Sequence, residues 1–109
     1  MATWEWHVPA NEVVFSQEFY EILGIDPGDL ECTVEGFLSL LHPDDRAAAE
    51  AALGRALDGT EPYALAHRLI GGDGRQRTML CSGLVEFDLD GIPLRMAGAS
   101  LDVTDEPAA

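Results

Sequence analysis

Large and polar side chains alternate through Trp4-Glu5-Trp6-His7-Val8, the two-residue period of a strand with one buried face. Pro9-Ala10-Asn11 interrupts the period, and Glu12-Val13-Val14-Phe15 resumes it with β-branched and aromatic residues, so the chain opens on a hairpin. The period then changes. Phe19, Ile22 and Leu23 recur at helical spacing behind Ser16, an N-cap residue type, and the run stops at Gly24, which suits the left-handed position after a helix. Asp26-Pro27-Gly28-Asp29 is turn chemistry, and beyond it Thr33 can cap a second helix carrying Phe37, Leu40 and Leu41 on one face and ending at His42-Pro43. Pro43 disfavours helical geometry at His42 but suits the first position of a new helix, with Asp44 and Asp45 in the turn where the backbone dipole favours negative charge. This Ala-rich third helix runs to about Asp58-Gly59, with Ala49, Leu53, Ala56 and Leu57 as its buried stripe.

After Glu61 the two-residue period returns. Segments 62–70, 75–89 and 93–103 are separated by Gly71-Gly72-Asp73-Gly74 and by Asp90-Gly91, and Asp-Gly turns between alternating segments predict a three-stranded antiparallel meander. Five strands, with the helices between the second and third, make an α+β fold whose sheet has one face for the helices to cover. Residues 1–109 contain no repeat or linker and read as a single domain excised from a longer protein.

Composition narrows the function. Hydrophobic residues make up 47% and charged residues 24%, an ordinary globular balance, but twenty acidic residues against six arginines give a net charge of −14. Nucleic acids and anionic lipid are poor partners for such a chain, because binding them rests on basic residues neutralising phosphates. Cys32 and Cys81 lack C-x-x-C spacing and suit reduced thiols in a cytoplasmic setting. No apolar run is long enough to insert in a membrane, and no basic segment leads into an apolar one at the N-terminus.

Catalytic signals are weak. Ser16, Ser39, Ser82 and Ser100 lack a nucleophile-elbow context, and the His and Cys residues lack zinc spacing, so no catalytic or metal residue is assigned. Glu86, Asp88 and Asp90 alternate with apolar residues and read as a solvated strand face. His42-Pro43-Asp44-Asp45-Arg46 brings an imidazole, two carboxylates and a guanidinium together, but helix-start chemistry accounts for it.

Taken in order, Trp4-x-Trp6, Ser16-x-x-Phe19, Leu23-Gly24-Ile25-Asp26-Pro27, His42-Pro43-Asp44-Asp45-Arg46, Arg68 before Asp73-Gly74, and Asp102-Val103-Thr104 resemble a PAS domain of the sensory-box subclass found in bacterial signalling proteins. The resemblance implies a five-stranded antiparallel sheet in the order 2-1-5-4-3, helices packed on one face, and often a ligand cavity between them. It also implies an output domain such as a histidine kinase or a diguanylate cyclase, and frequent homodimerisation. His7 stands where this subclass commonly has Asp, and Thr78 where it often has an aromatic residue.

A ligand held there would meet Phe19, Leu23, Phe37, Leu41, Leu53 and Leu57 from the helices and Tyr63, Leu65, His67, Met79 and Cys81 from the strands, although in so small a domain a filled or nearly filled core is favoured. The cofactor is unknown. Haem would need an axial ligand from His7, His42 or His67; the strand alternation turns His67 toward the helices, but a lone histidine on an apolar face is more often simply hydrogen-bonded, so haem is disfavoured. A flavin of the light-sensing LOV type is disfavoured because neither cysteine stands in the stretch that chemistry needs. At the far end Asp102, Thr104 and Asp105 are N-cap residue types and Pro107 suits a first helical turn, so the last strand is set to hand over to a helix. The expectation is a sensor and signal-relay domain and not an enzyme. The competing reading is an interaction module with a filled core, whose mark would be an apolar patch on the open sheet face; a small enzyme is the third.

Overall fold

The computed structural model describes residues 1–104. The elements run β1 (Ala2–His7), β2 (Glu12–Phe15), α1 (Gln17–Leu23), a 3₁₀ turn (Pro27–Asp29), α2 (Val34–Leu40), α3 (Pro43–Leu57), β3 (Tyr63–Ile70), β4 (Gln76–Phe87) and β5 (Pro93–Asp102). The strands form one antiparallel sheet in the order β2-β1-β5-β4-β3. The α+β class is the one the alternation predicts, and the strand order is the one the resemblance implies. Asp105 and Pro107, the expected start of a following helix, lie outside the described residues.

Strand parity sets the two faces. Trp4, Trp6, Val13, Phe15, Tyr63, His67, Leu69, Met79, Cys81, Met96 and Ser100 point under the helices, and all but the half-buried Trp4 are buried. The small residues Ala49, Ala52 and Ala56 on the buried side of α3 let that helix lie close on β3. Ala52 takes a place in the stripe expected of Leu57, which is only half-buried.

Several local expectations resolve differently. Ser16 precedes α1 in extended backbone, yet its hydroxyl accepts from the Thr3 N–H at 3.0 Å, tying the helix start to β1 instead of capping it. Thr33 does cap α2, accepting from the Gly36 N–H at 3.1 Å, and Gly24 closes α1 at φ 61°. Leu41 has left α2; it is extended, fully buried and bridged to Leu69 of β3. β4 ends at Phe87, and Asp88 turns its carboxylate back onto the N–H groups of Asp90 at 2.8 Å and Ile92 at 2.9 Å, so Glu86, Asp88 and Asp90 do not share a strand face.

Asn11 is the one described non-glycine residue with positive φ, at 50°, a conformation asparagine tolerates better than most. Its Oδ1 accepts from Trp6 Nε1 at 3.1 Å and from the Val34 N–H at 3.2 Å, and its Nδ2 donates to Glu35 Oε1 at 2.7 Å. One turn residue thus fixes the first hairpin, the Trp6 ring and the start of α2 together.

Candidate functional site

Trp4 projects from β1 across the inner face of the sheet. Its register partner on β5 is Gly98, which in turn pairs with Gly83 of β4. A β-carbon on Gly83 would lie 2.7 Å from Trp4 Cη2, so the missing side chains are what let the indole lie across the neighbouring strands. The ring ends edge-on to Tyr63 of β3, with centroids 6.2 Å apart. Its Nε1 donates to Ser100 Oγ at 3.1 Å, and that hydroxyl also lies 3.0 Å from Cys81 Sγ. Burial pushes the Cys81 thiol up to about 11, against the smaller opposing effect of the Ser100 hydrogen bond, so it is a neutral thiol and not a nucleophile at neutral pH.

Beside this ring is a cavity of about 30 Å³. That is room for about one water molecule, but a wall this apolar gives a water too few partners and the space stays dry. Trp4, Trp6, Val13 and Phe15 bound it from the first hairpin, Val34 and Phe37 from α2, Leu53 from α3, and Tyr63 and Cys81 from the later strands. Four of the eleven candidates from the sequence therefore line it: Phe37, Leu53, Tyr63 and Cys81. Phe19, Leu23, Leu41 and Met79 are buried in the surrounding core, and Leu57 and Leu65 pack against it half-buried. Neither a haem nor a flavin fits between these side chains as they stand, because pockets for ligands of that size run to about 300 Å³ or more.

His67 lies behind the cavity wall. It is buried, its Nε2 is 3.1 Å from Tyr63 Oη, and the Phe37 ring stands edge-on to it with centroids 5.6 Å apart. Burial pushes its pKa down, so the imidazole is neutral at neutral pH. Burial also raises the Tyr63 phenol well above its ordinary range, so both partners are uncharged. Among the described residues no serine hydroxyl hydrogen-bonds an imidazole, and no three His, Cys, Asp or Glu side chains are grouped to hold a metal ion.

Three comparisons bear on this arrangement. The family model described as PAS fold matches residues 12–100. The chain belongs to the PAS fold family. A solved sensory box histidine kinase/response regulator from Burkholderia thailandensis is 30% identical, with a TM-score of 0.82, covering 95% of this chain and 77% of that one. The N-terminal domain of a diguanylate cyclase with a PAS/PAC sensor from Marinobacter aquaeolei superposes with a TM-score of 0.86 over 96% of each chain at 17% identity, and so shares the fold. An uncharacterized protein of Sinorhizobium fredii is 35% identical over 71 residues, which are 65% of this chain and 9% of that protein's length.

In this PAS domain the His42–Arg46 element is a lock between α3 and β3. His42 Nδ1 accepts from the Asp44 N–H at 3.1 Å, and the His42 N–H donates to the Arg68 carbonyl at 2.9 Å. Asp45 does more than complement the helix dipole. Its carboxylate takes Arg68 Nε at 3.0 Å, Arg68 Nη2 at 2.8 Å and the Arg68 N–H at 2.8 Å, and these hydrogen bonds hold its pKa well below the usual carboxylate range. Arg46 reaches the Ser39 carbonyl at 3.4 Å, and Pro43 occupies the first helical position. Asp73 likewise binds Arg77 and the Arg75 N–H, which lowers its pKa to about 2.

At the exit of the last strand, Asp102 accepts from the Thr104 N–H at 3.0 Å and from its hydroxyl. Thr104 Oγ1 in turn accepts from the Thr78 N–H at 2.9 Å, and Val103 donates to the Thr78 carbonyl at 2.9 Å. The backbone of Thr78 thus anchors the end of β5 to the start of β4. No described helix is long and apolar enough to cross a membrane.

Proposed function

We propose that this PAS domain is a regulatory relay module of a longer, cytoplasm-facing signalling protein, and that it works as a homodimer through the outer face of its sheet. The carrying observation is the composition of that face. Leu80, Ser82 and Leu84 of β4 pair with Leu101, Ala99 and Ala97 of β5, and Ala64 and Ala66 of β3 continue the strip. All of these but the half-buried Ala99 are exposed, and none carries a charge.

In a chain of net charge −14, an uncharged apolar strip is a place where two copies can meet without like charges facing each other. The Glu5–Arg95–Glu86 cluster sits at one end of it, with Arg95 paired to Glu5 and 3.9 Å from Glu86. Repulsion between two acidic protomers is screened by salt, so association tightens as ionic strength rises.

The strip includes the last strand, whose end is anchored through Asp102 and Thr104. A change in sheet packing therefore reaches the output side of the module by the shortest route. The histidine kinase identity of the Burkholderia relative supports an output domain of the histidine kinase or diguanylate cyclase type. The nearly filled core supports relaying over sensing; together with the apolar strip, the mark expected of a plain interaction module, it also keeps that module as the second reading.

Sedimentation equilibrium tests the proposal. The wild type should dimerise more tightly in high salt than in low, and Leu84→Glu should be a folded monomer. A wild type that stays monomeric at high micromolar concentration in high salt, or a Leu84→Glu variant that dimerises as the wild type does, would overturn it. In the parent protein, Asp102→Ala or Thr104→Ala that left signal-dependent output unchanged would remove the role given to the strand exit.

A further inference from the structure

Two surface hollows flank Gly24-Ile25-Asp26, the segment that joins α1 to the 3₁₀ turn, and these three residues belong to both. One hollow, of about 480 Å³, has Leu30, Leu40 and Ile70 among its walls and the exposed Asp29 at its rim. The other, of about 720 Å³, is bounded by Tyr20, Glu21 and Pro27. Sites that hold ligands have volumes of about 300–1,000 Å³, so these hollows are of binding size where the internal cavity is not.

Their charge is of one sign. Among the described residues no basic side chain lines either hollow, while Glu21, Asp26 and Asp29 do. Asp26 stands at the N-cap of the 3₁₀ turn, yet its carboxylate makes no capping hydrogen bond. Among the described residues neither Asp26 nor Asp29 is paired with a basic side chain. The Arg77 guanidinium stands behind Gly71, 2.9 Å from where a β-carbon there would lie, but Asp73 already neutralises it.

The walls are fixed by backbone contacts. The Gly72 N–H donates to the Leu23 carbonyl at 2.9 Å. A β-carbon on Gly71 would collide with that same carbonyl oxygen, and one on Gly72 would lie 2.5 Å from the Gly24 carbonyl oxygen. Glycine permits this close approach, so the end of α1 and the β3–β4 turn are held together before anything binds. A preformed site loses less freedom on binding than one that must be ordered.

We propose that this surface docks a partner protein through a short segment carrying apolar side chains beside lysine or arginine. The apolar side chains take the two hollows, and the basic ones meet Asp26 and Asp29. The charge of the segment follows from the acidic rim, and its apolar part from Ile25, Leu30, Leu40 and Ile70. The occupant is a stretch of chain and not a small molecule, because the hollows are open to solvent and lie on both sides of one ridge.

No residue of the outer-face strip lines either hollow, so this site stands or falls apart from the dimer. The probe is a capped pentapeptide of alternating leucine and arginine, titrated into ¹⁵N-labelled protein. Its two matches carry glutamate in place of arginine, or serine in place of leucine. The expected result is a saturable shift of the Gly24, Ile25 and Gly72 amide resonances. Binding should weaken as salt rises, the opposite of the dimer's response. Asp26→Asn combined with Asp29→Asn should weaken it about 2- to 30-fold, the worth of two exposed ion pairs. Unmoved resonances at these amides, equal binding of either matched peptide, or a double variant that binds as the wild type does would overturn the proposal. Argininamide alone binding as tightly at the same amides would also overturn it, since the site would then be one for a small cation. The comparison of peptides on the wild type decides the matter whether or not the double variant folds.

Discussion

Adding one methyl group at Gly83 tests the packing of Trp4 directly. A β-carbon there would stand 2.7 Å from Trp4 Cη2 and 3.1 Å from Cζ2, whereas carbons pack at about 3.5–4.0 Å. The indole would have to lift by about 1 Å from that contact distance, against its hydrogen bond to Ser100 and its edge contact with Tyr63. Overpacking of this kind costs about 1–3 kcal/mol. Replacing glycine by alanine within a strand works the other way, by about 0.5–1 kcal/mol, through the entropy of the unfolded chain. Gly83→Ala should therefore destabilise the wild type by roughly 0.5–2 kcal/mol. In a Trp4→Leu background the six-membered ring is gone and the tightest remaining neighbour of the new methyl is the Ala97 carbonyl oxygen at 3.3 Å, which need give by only a few tenths of an ångström, so the same substitution should stabilise by up to about 0.5–1 kcal/mol.

The sign reverses between backgrounds, and the coupling in the double-mutant cycle should be about 1–3 kcal/mol. Urea unfolding followed by circular dichroism measures it, with unchanged m values as the check that two-state unfolding holds. Coupling below about 0.5 kcal/mol, or destabilisation by Gly83→Ala in both backgrounds, would refute the reasoning. Gly98 is no substitute for the test, because a β-carbon there would also strike the Ser82 carbonyl oxygen whatever occupied position 4.

Three further outcomes follow from the same geometry. Asp45 has a folded pKa well below its unfolded value, so its contribution is present above about pH 4 and is lost as pH falls toward the folded value; acid unfolding should be shallower in Asp45→Asn than in the wild type. His67 has a lowered folded pKa, so the unfolded chain takes up its proton first and stability falls as pH drops below about 6.5; its ring resonances should still report the neutral form at that pH, and His67→Phe should flatten this part of the stability profile. Asn11→Ala should cost about 2–3 kcal/mol by taking the acceptor away from two part-buried N–H groups and leaving alanine in a left-handed conformation, while Asn11→Gly should recover only about 1 kcal/mol of this, the backbone part; equal losses for both variants would assign the whole effect to the side chain.

The sequence made the faces legible more readily than the contacts. Alternation assigned Tyr63, His67, Met79 and Cys81 to the inner face, and the Asp-Gly turns marked the meander, because both are short-range properties of strands. The same alternation held Trp4, Trp6, Val13 and Phe15 as inward-facing residues, but nothing in it said that the Trp4 indole would lie flat across two glycines and become a cavity wall. That depends on which residues of other strands come into register beneath it. Phe19, Leu41 and Met79 carry the same apolar signal as Leu53 and Phe37, and only the packed structure separates those that fill the core from those that bound its void. Asp45 and Arg68 are twenty-three residues apart, so the carboxylate reads as a helix-start residue until the third strand is in place. Ser16 shows the competition in miniature. Its hydroxyl could accept from the helix that follows it or from the Thr3 N–H thirteen residues earlier, and local chemistry alone favours the wrong one.

β1 and β5 lie side by side and antiparallel, with Ala2 opposite Ser100. A pull applied between Ala2 and Asp102 therefore loads one ladder from a single end, in the manner of a zipper, so that its pairs part in succession instead of resisting together. The first pair to part holds Ser100, whose hydroxyl meets both Trp4 and Cys81, and the next inward-facing pair is Trp4 with Gly98. Mechanical work done on the ends of these strands would be spent first on the wall of the internal cavity, before the helices or the outer strands yield.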